Sequence, residues 1–163
     1  MRGMTDIPTR YRLHGIVGGT ILALMLGVAG MQMLTPRPAM AGWAEIKASP
    51  NGHFIVQARI NGTSTRAIID TGATVVAIPY SKARRMGLKP AFLKFNIPVW
   101  TANGKVMAAR TTLRQVEVNN VSVHGVEAIV LPDKSLKEVL IGMSYLGKLR
   151  RYVVNANVMR LVK

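Results

Sequence analysis

The 163-residue chain has no cysteine, only three histidines and only seven acidic residues. Without cysteine there is no disulfide framework, no thiolate-bound zinc or iron–sulfur centre, and no thiol nucleophile. The compartment stays open, because a cysteine-free domain folds equally well in reducing or oxidising surroundings. The histidines are His14, His53 and His124. His14 falls in a segment set apart from the folded region below, so a three-histidine zinc site is not expected, and neither metal nor cofactor is implied. Glu45, Glu117, Glu127, Asp133 and Glu138 show no calcium-loop spacing and read as surface charges. Aromatic residues make up 6% of the chain. Rings on which bases could stack are therefore scarce, and nucleic acid is not an expected partner. Gly142-Met143-Ser144-Tyr145-Leu146-Gly147 is one residue too long for a Gly-x-Ser-x-Gly nucleophile elbow, which argues against a serine hydrolase.

What the chain does have begins with an apolar N-terminal run. Residues 16–34 carry no charge, and Gln32 is their one strongly polar side chain. Nineteen such residues suffice to cross a bilayer core as a helix. Arg2, Arg10 and Arg12 precede the run against a single Asp6. The positive-inside rule then holds residues 1–15 in the cytoplasm and sends the remainder across. Ala39-Met40-Ala41 is a small-x-small sequence that a signal peptidase could cut, which is the alternative to an uncleaved anchor. The expectation is a single-pass membrane segment with the folded domain on the far side, or a domain released there by cleavage after Ala41. Residues 35–49 read as a linker and residues 50–163 as the folded domain.

From residue 42 onward there are 18 Lys+Arg (22 less Arg2, Arg10, Arg12 and Arg37) and 6 Asp+Glu (7 less Asp6), a formal charge of +12. Such a field favours anionic partners, or simply keeps the domain soluble beside an anionic membrane.

The hydropathy pattern is mostly that of strands. Phe54, Val56, Ala58 and Ile60 alternate with Ile55, Gln57 and Arg59, and Asn61-Gly62 follows as a hairpin signal. Residues 66–69 form the return strand. Residues 81–86 read as a short helix with Ser81 as cap and Gly87 as terminator. Asn103-Gly104 marks a second hairpin within residues 99–106, and Asn119-Asn120 a third. Residues 128–131 form an apolar strand closed by Pro132, and residues 144–149 a last short helix. A final pair of strands flanks Asn155-Ala156-Asn157. Many short strands with evenly spaced turns imply an all-β barrel or sandwich.

Asp70 stands out among the scarce acids. It sits in Ile68-Ile69-Asp70-Thr71-Gly72-Ala73, a carboxylate between an apolar strand and a Thr-Gly turn, with a second apolar strand at residues 75–78. An Asp that closes a turn is common, and Asp-Thr-Gly by itself is a weak signal. Some seventy residues on comes Val139-Leu140-Ile141-Gly142, an apolar run ending in glycine. With these elements in this order, residues 50–163 resemble the retropepsin-like aspartic proteases, and most of all their single-domain, membrane-anchored bacterial members. Ile68–Ala73 matches the family's catalytic signature. Leu140, Ile141 and Gly142 match its second apolar-Gly element. Trp100-Thr101-Ala102-Asn103-Gly104-Lys105 stands where the flap hairpin belongs. Gly142-Met143-Ser144-Tyr145-Leu146 resembles the bacterial variant, with Tyr145 where phenylalanine is usual.

The resemblance implies a retropepsin-like closed β-barrel with one or two short helices, one lobe per chain. It implies an aspartic endopeptidase in which Asp70 is catalytic and Thr71, Gly72 and Ala73 support its loop. Trp100, Asn103 and Gly104 would close a flap over a polypeptide substrate. Two such carboxylates share one proton and activate a water between them. One motif per chain then requires a homodimer with the site on its two-fold axis. The rival functions are a catalytically silent peptide-binding module on the same fold, or a membrane-anchored module that binds anions.

Overall fold

The computed structural model describes residues 42–101 and 104–163. Among them are ten strands, two short α-helices and one 3-10 turn. In chain order these are β1 (Trp43–Lys47), β2 (Phe54–Ile60), β3 (Thr63–Ile69), β4 (Val76–Pro79) and α1 (Tyr80–Arg85). The 3-10 turn Pro90–Phe92 leads to β5 (Phe95–Thr101), β6 (Gly104–Val118), β7 (Val121–Leu131) and β8 (Val139–Ile141). Then come α2 (Met143–Leu146), β9 (Arg151–Asn155) and β10 (Val158–Val162).

The expected all-β class and closed barrel are both present. Seven strands run in the order β2-β3-β8-β4-β7-β6-β5, and an additional β2–β6 pairing closes six of them into a ring. The hairpins follow local chemistry. Asn61 and Gly62 adopt φ of 51° and 89°, the conformation a two-residue turn between right-twisted strands demands. Asn61 Oδ1 also accepts from the Arg114 and Gln115 N–H groups at 2.9 and 3.3 Å, so this turn helps pin β2 to β6. Asn119, at φ 52°, turns β6 into β7.

Alternation along the strands fills the barrel. Val56, Ile60, Ile78, Leu113, Val116 and Ile141 are all buried in one continuous core. Each such aliphatic side chain contributes about 1.5–3 kcal/mol on burial.

Two expectations need correction. Trp43–Lys47, inside the segment read as a linker, is a strand. It pairs antiparallel with β10 from Trp43↔Val162 to Lys47↔Val158, burying Ala44 and Ile46. Five residues with only two buried side chains give too weak a sequence signal without their distant partner. Ser81 does not cap α1, because the helix starts a residue earlier, behind Pro79, with no side-chain cap. The Ser81 N–H instead donates to Asp133 Oδ1 at 2.9 Å, a carboxylate 52 residues away. The second hairpin is present as expected, from Val99↔Val106 to Thr101↔Gly104, and residues 102 and 103 lie outside the described residues. No helix among the described residues is long and apolar enough to cross a membrane, and the apolar run at residues 16–34 falls outside them.

Candidate active site

β8 runs between β3 and β4. It pairs parallel with β3 at Ala67↔Val139, Ile68↔Leu140 and Ile69↔Ile141, and antiparallel with β4 at Ala77↔Leu140. The loop joining β3 to β4 must therefore pass over the end of β8. Asp70 is the first residue of that loop, and its N–H donates to the Ile141 carbonyl at 3.0 Å. Gly72 N–H donates to Asp70 Oδ1 at 2.9 Å, and Ala73 N–H to the Asp70 carbonyl at 3.3 Å. Asp70 is thus half-buried, with its backbone and one carboxylate oxygen tethered. Its other oxygen accepts no bond among the described residues.

The Gly142 backbone holds the loop from behind. The Met143 and Ser144 N–H groups donate to the Ala73 and Thr74 carbonyls at 2.8 and 3.0 Å. A Cβ on Gly142 would lie 2.4 Å from the Ala73 oxygen and 2.5 Å from the Val75 oxygen. Only glycine permits that approach. Ser144 ties the loop to β7 as well: its hydroxyl accepts from Val76 N–H at 3.0 Å and donates to the Glu127 carbonyl at 2.7 Å. The Tyr145 hydroxyl donates to the Val121 carbonyl at 2.8 Å, which satisfies the buried oxygen that phenylalanine would lack. Burial pushes the Tyr145 phenol well above its ordinary value.

A cleft of about 680 Å³ opens beside Asp70. Its floor is apolar, with Ala77, Ile129 and Leu140 contributed by adjacent strands. The first half of β6 leaves the barrel and pairs with β5 from Thr101↔Gly104 to Phe95↔Ala109. This hairpin supplies the opposite wall through Ile97, Val99 and Trp100. Its base is anchored by Phe95 against Tyr80, ring centroids 6.1 Å apart. Trp100 is 79% exposed, an apolar ring facing water above an apolar floor. Gly104 adopts φ 98°, and its carbonyl accepts from the Thr101 hydroxyl at 2.9 Å.

The fold brings Asp70, Gly72, Ala73, Trp100 and Leu140 to one cleft. Ile141 and Gly142 lie buried beneath the loop, outside the cleft lining. Thr71 is exposed and also stands outside it. Asn103 lies outside the described residues. Sequence reasoning missed Arg110 and Glu127, which line the cleft 3.9 Å apart. Glu127 had read as a plain surface charge. An outward-facing acid on a long strand looks the same in sequence whether it borders solvent or a groove.

The family model described as "gag-polyprotein putative aspartyl protease" matches residues 56–148 of this chain. The chain belongs to the retropepsin-like aspartic protease family. A crystal structure of a retropepsin-like aspartic protease from Rickettsia conorii superposes with a TM-score of 0.65 at 29% identity, covering 74% of this chain and 89% of that one. An uncharacterized protein in the cobV 5′ region of Sinorhizobium sp. is 34% identical over 111 residues, covering 68% of this chain and 48% of the relative. An uncharacterized protein of Rickettsia prowazekii (strain Madrid E) is 28% identical over 120 residues, covering 71% and 49%. The chain thus spans about half the length of the curated relatives it matches.

Proposed function

We propose that this retropepsin-like protein is an aspartic endopeptidase that works as a membrane-tethered homodimer, with one Asp70 from each chain. The observation that carries this reading is the Asp70 loop. It holds one tethered carboxylate at the mouth of a peptide-sized cleft, under a hairpin. The other acid on that cleft, Glu127, comes from β7 and faces Arg110, so it is poorly placed as the second member of a dyad.

In the dimer, a water lies between the two carboxylates. The ionised member takes a proton from the water as its oxygen attacks the scissile carbonyl carbon. The protonated member hydrogen-bonds the carbonyl oxygen and gives it its proton as the C=O bond opens, so a neutral tetrahedral diol forms. The C–N bond then breaks as a carboxyl proton passes to the leaving nitrogen, leaving an acid and an amine. Thr71, exposed beside Asp70 with no side-chain hydrogen bond among the described residues, is available to bond its counterpart across the axis.

The C-terminal strand β10 lies in the middle of a three-stranded sheet. Both of its edges are already taken, by β1 and β9. Among the described residues β9 pairs only with β10, and it exposes Val153 and Val154 at 43% and 47%. An unpaired apolar edge of this kind invites a second chain, so β9 is the interface strand of this proposal. The tether is the apolar run at residues 16–34, placing the domain on the periplasmic face of a bacterial inner membrane, or free in the periplasm after cleavage at Ala41.

The test uses peptide hydrolysis by the wild-type chain and its Asp70→Asn form. Asp70→Asn alone should be inactive. Wild-type chains mixed with an excess of Asp70→Asn chains under exchanging conditions should lose activity, because mixed dimers hold one carboxylate. An unchanged rate with exchange demonstrated means that each chain acts alone and the dimeric site is wrong.

A further inference from the structure

Arg110 and Glu127 are the charged side chains that line the cleft besides Asp70. They project from neighbouring strands, where Arg110 pairs with Ile129 and Thr112 with Glu127, so the two lie diagonally on one face. Their closest approach is 3.9 Å, with side chains 69% and 60% exposed. A pair so open to water holds its partners weakly. The guanidinium can therefore leave Glu127 for a better acceptor. A carboxylate brought by a bound peptide is one, because it can take two parallel N–H bonds in a site the hairpin partly dries. The rest of the cleft is apolar apart from a few hydroxyls and backbone groups, so the peptide's remaining side chains would be apolar. The +12 field of the domain steers in the same direction, toward acidic chains.

We propose that Arg110 is a specificity-determining residue, and that the substrate is an acidic polypeptide whose carboxylate side chain, away from the scissile bond, displaces Glu127 from the guanidinium. This rests on the peptidase reading above and deepens it. Glu127 acts as a placeholder that keeps Arg110 extended along the wall until the peptide arrives. A basic residue at the same place would meet Arg110 first and be repelled.

The experiment uses the full-length chain in mild detergent and one apolar peptide, with a single Glu moved through the positions flanking the cleaved bond. Hydrolysis is measured with the wild type. Binding of the same peptides is measured with Asp70→Asn, which does not depend on turnover. At one position Glu should raise kcat/KM, and tighten Kd, by about tenfold over Gln. Arg110→Gln should remove that preference, lowering kcat/KM for the Glu peptide about tenfold more than for the Gln peptide. Glu127→Gln should keep or enlarge it, and Arg110→Glu should transfer it to a Lys peptide. Added salt should shrink it. Equal loss on all peptides in Arg110→Gln, or a Glu preference that survives it, overturns the proposal. Arg110-dependent binding without any hydrolysis would instead overturn the peptidase reading and leave Arg110 as the acidic-peptide contact of a silent binding module.

Discussion

Among the described glycines Gly142 leaves the least room for a Cβ, and Gly142→Ala puts a number on it. The added methyl would sit 2.4 Å from the Ala73 oxygen, 2.5 Å from the Val75 oxygen and 2.9 Å from the Val75 carbonyl carbon. All three are backbone atoms, so no rotamer change relieves the overlap. Either the loop carrying Asp70 lifts or β8 recedes. Forcing a methyl into such a contact costs about 1–3 kcal/mol. Lifting the loop also breaks the Met143–Ala73 and Ser144–Thr74 bonds, 2.8 and 3.0 Å long, which contribute about 1 kcal/mol each. The total is about 3–5 kcal/mol, a fall in Tm of about 10–20 °C for a domain of this size. Circular dichroism of the wild type and variant against temperature and urea reads it directly. Gly72→Ala is the control, because its methyl would meet the Asp70 Oδ1 atom at 3.2 Å, a side chain that can shift. It should change stability by less than about 1 kcal/mol. Yet it should lower peptide hydrolysis by at least about tenfold through the displaced carboxylate. A Gly142→Ala chain that unfolds within about 1 kcal/mol of the wild type would refute the packing argument.

Trp100→Ala should leave Tm nearly unchanged, since the ring is already 79% exposed, while raising KM for peptides as the hairpin loses its apolar contact; a matching loss of stability would mean that Trp100 is structural. Asp133→Ala removes the acceptor for the Ser81 N–H and should cost about 1 kcal/mol in urea denaturation, with activity retained. The raised Tyr145 phenol gives a pH signature. Above about pH 10 the unfolded chain releases this proton while the folded chain keeps it, so stability present below that pH declines as the pH rises further. Tyr145→Phe should flatten this alkaline decline in a pH series of melts, at a cost near neutrality of about 1 kcal/mol for the lost bond to Val121; an unchanged alkaline slope would refute the assignment.

Much of the fold was legible from local chemistry. The Asn61-Gly62 turn, the Asn119-Asn120 turn and the alternation through β2 depend on φ preferences and a period of two, which neighbouring residues carry. Asp70-Thr71-Gly72 and Ile141-Gly142 were legible as motifs because each needs its residues contiguous. The sequence alone also shows a single Asp-Thr-Gly among its 163 residues, on which the proposed pairing of two chains rests. What only the tertiary structure decided depends on residues far apart. β1 exists because β10, over a hundred residues later, gives its backbone a partner. α1 draws its N-terminal acceptor from Asp133, and Ser144 reaches both Val76 and Glu127. Gly142 is a strand-ending glycine in sequence, but its need for hydrogen in place of a methyl comes from the Ala73 and Val75 carbonyls that the chain crossing lays against it. The Arg110–Glu127 pair became part of a cleft only when β5 and the first half of β6 folded over β7. Long-range pairing decides which outward face is solvent and which is a groove, and no local pattern of residues records that difference.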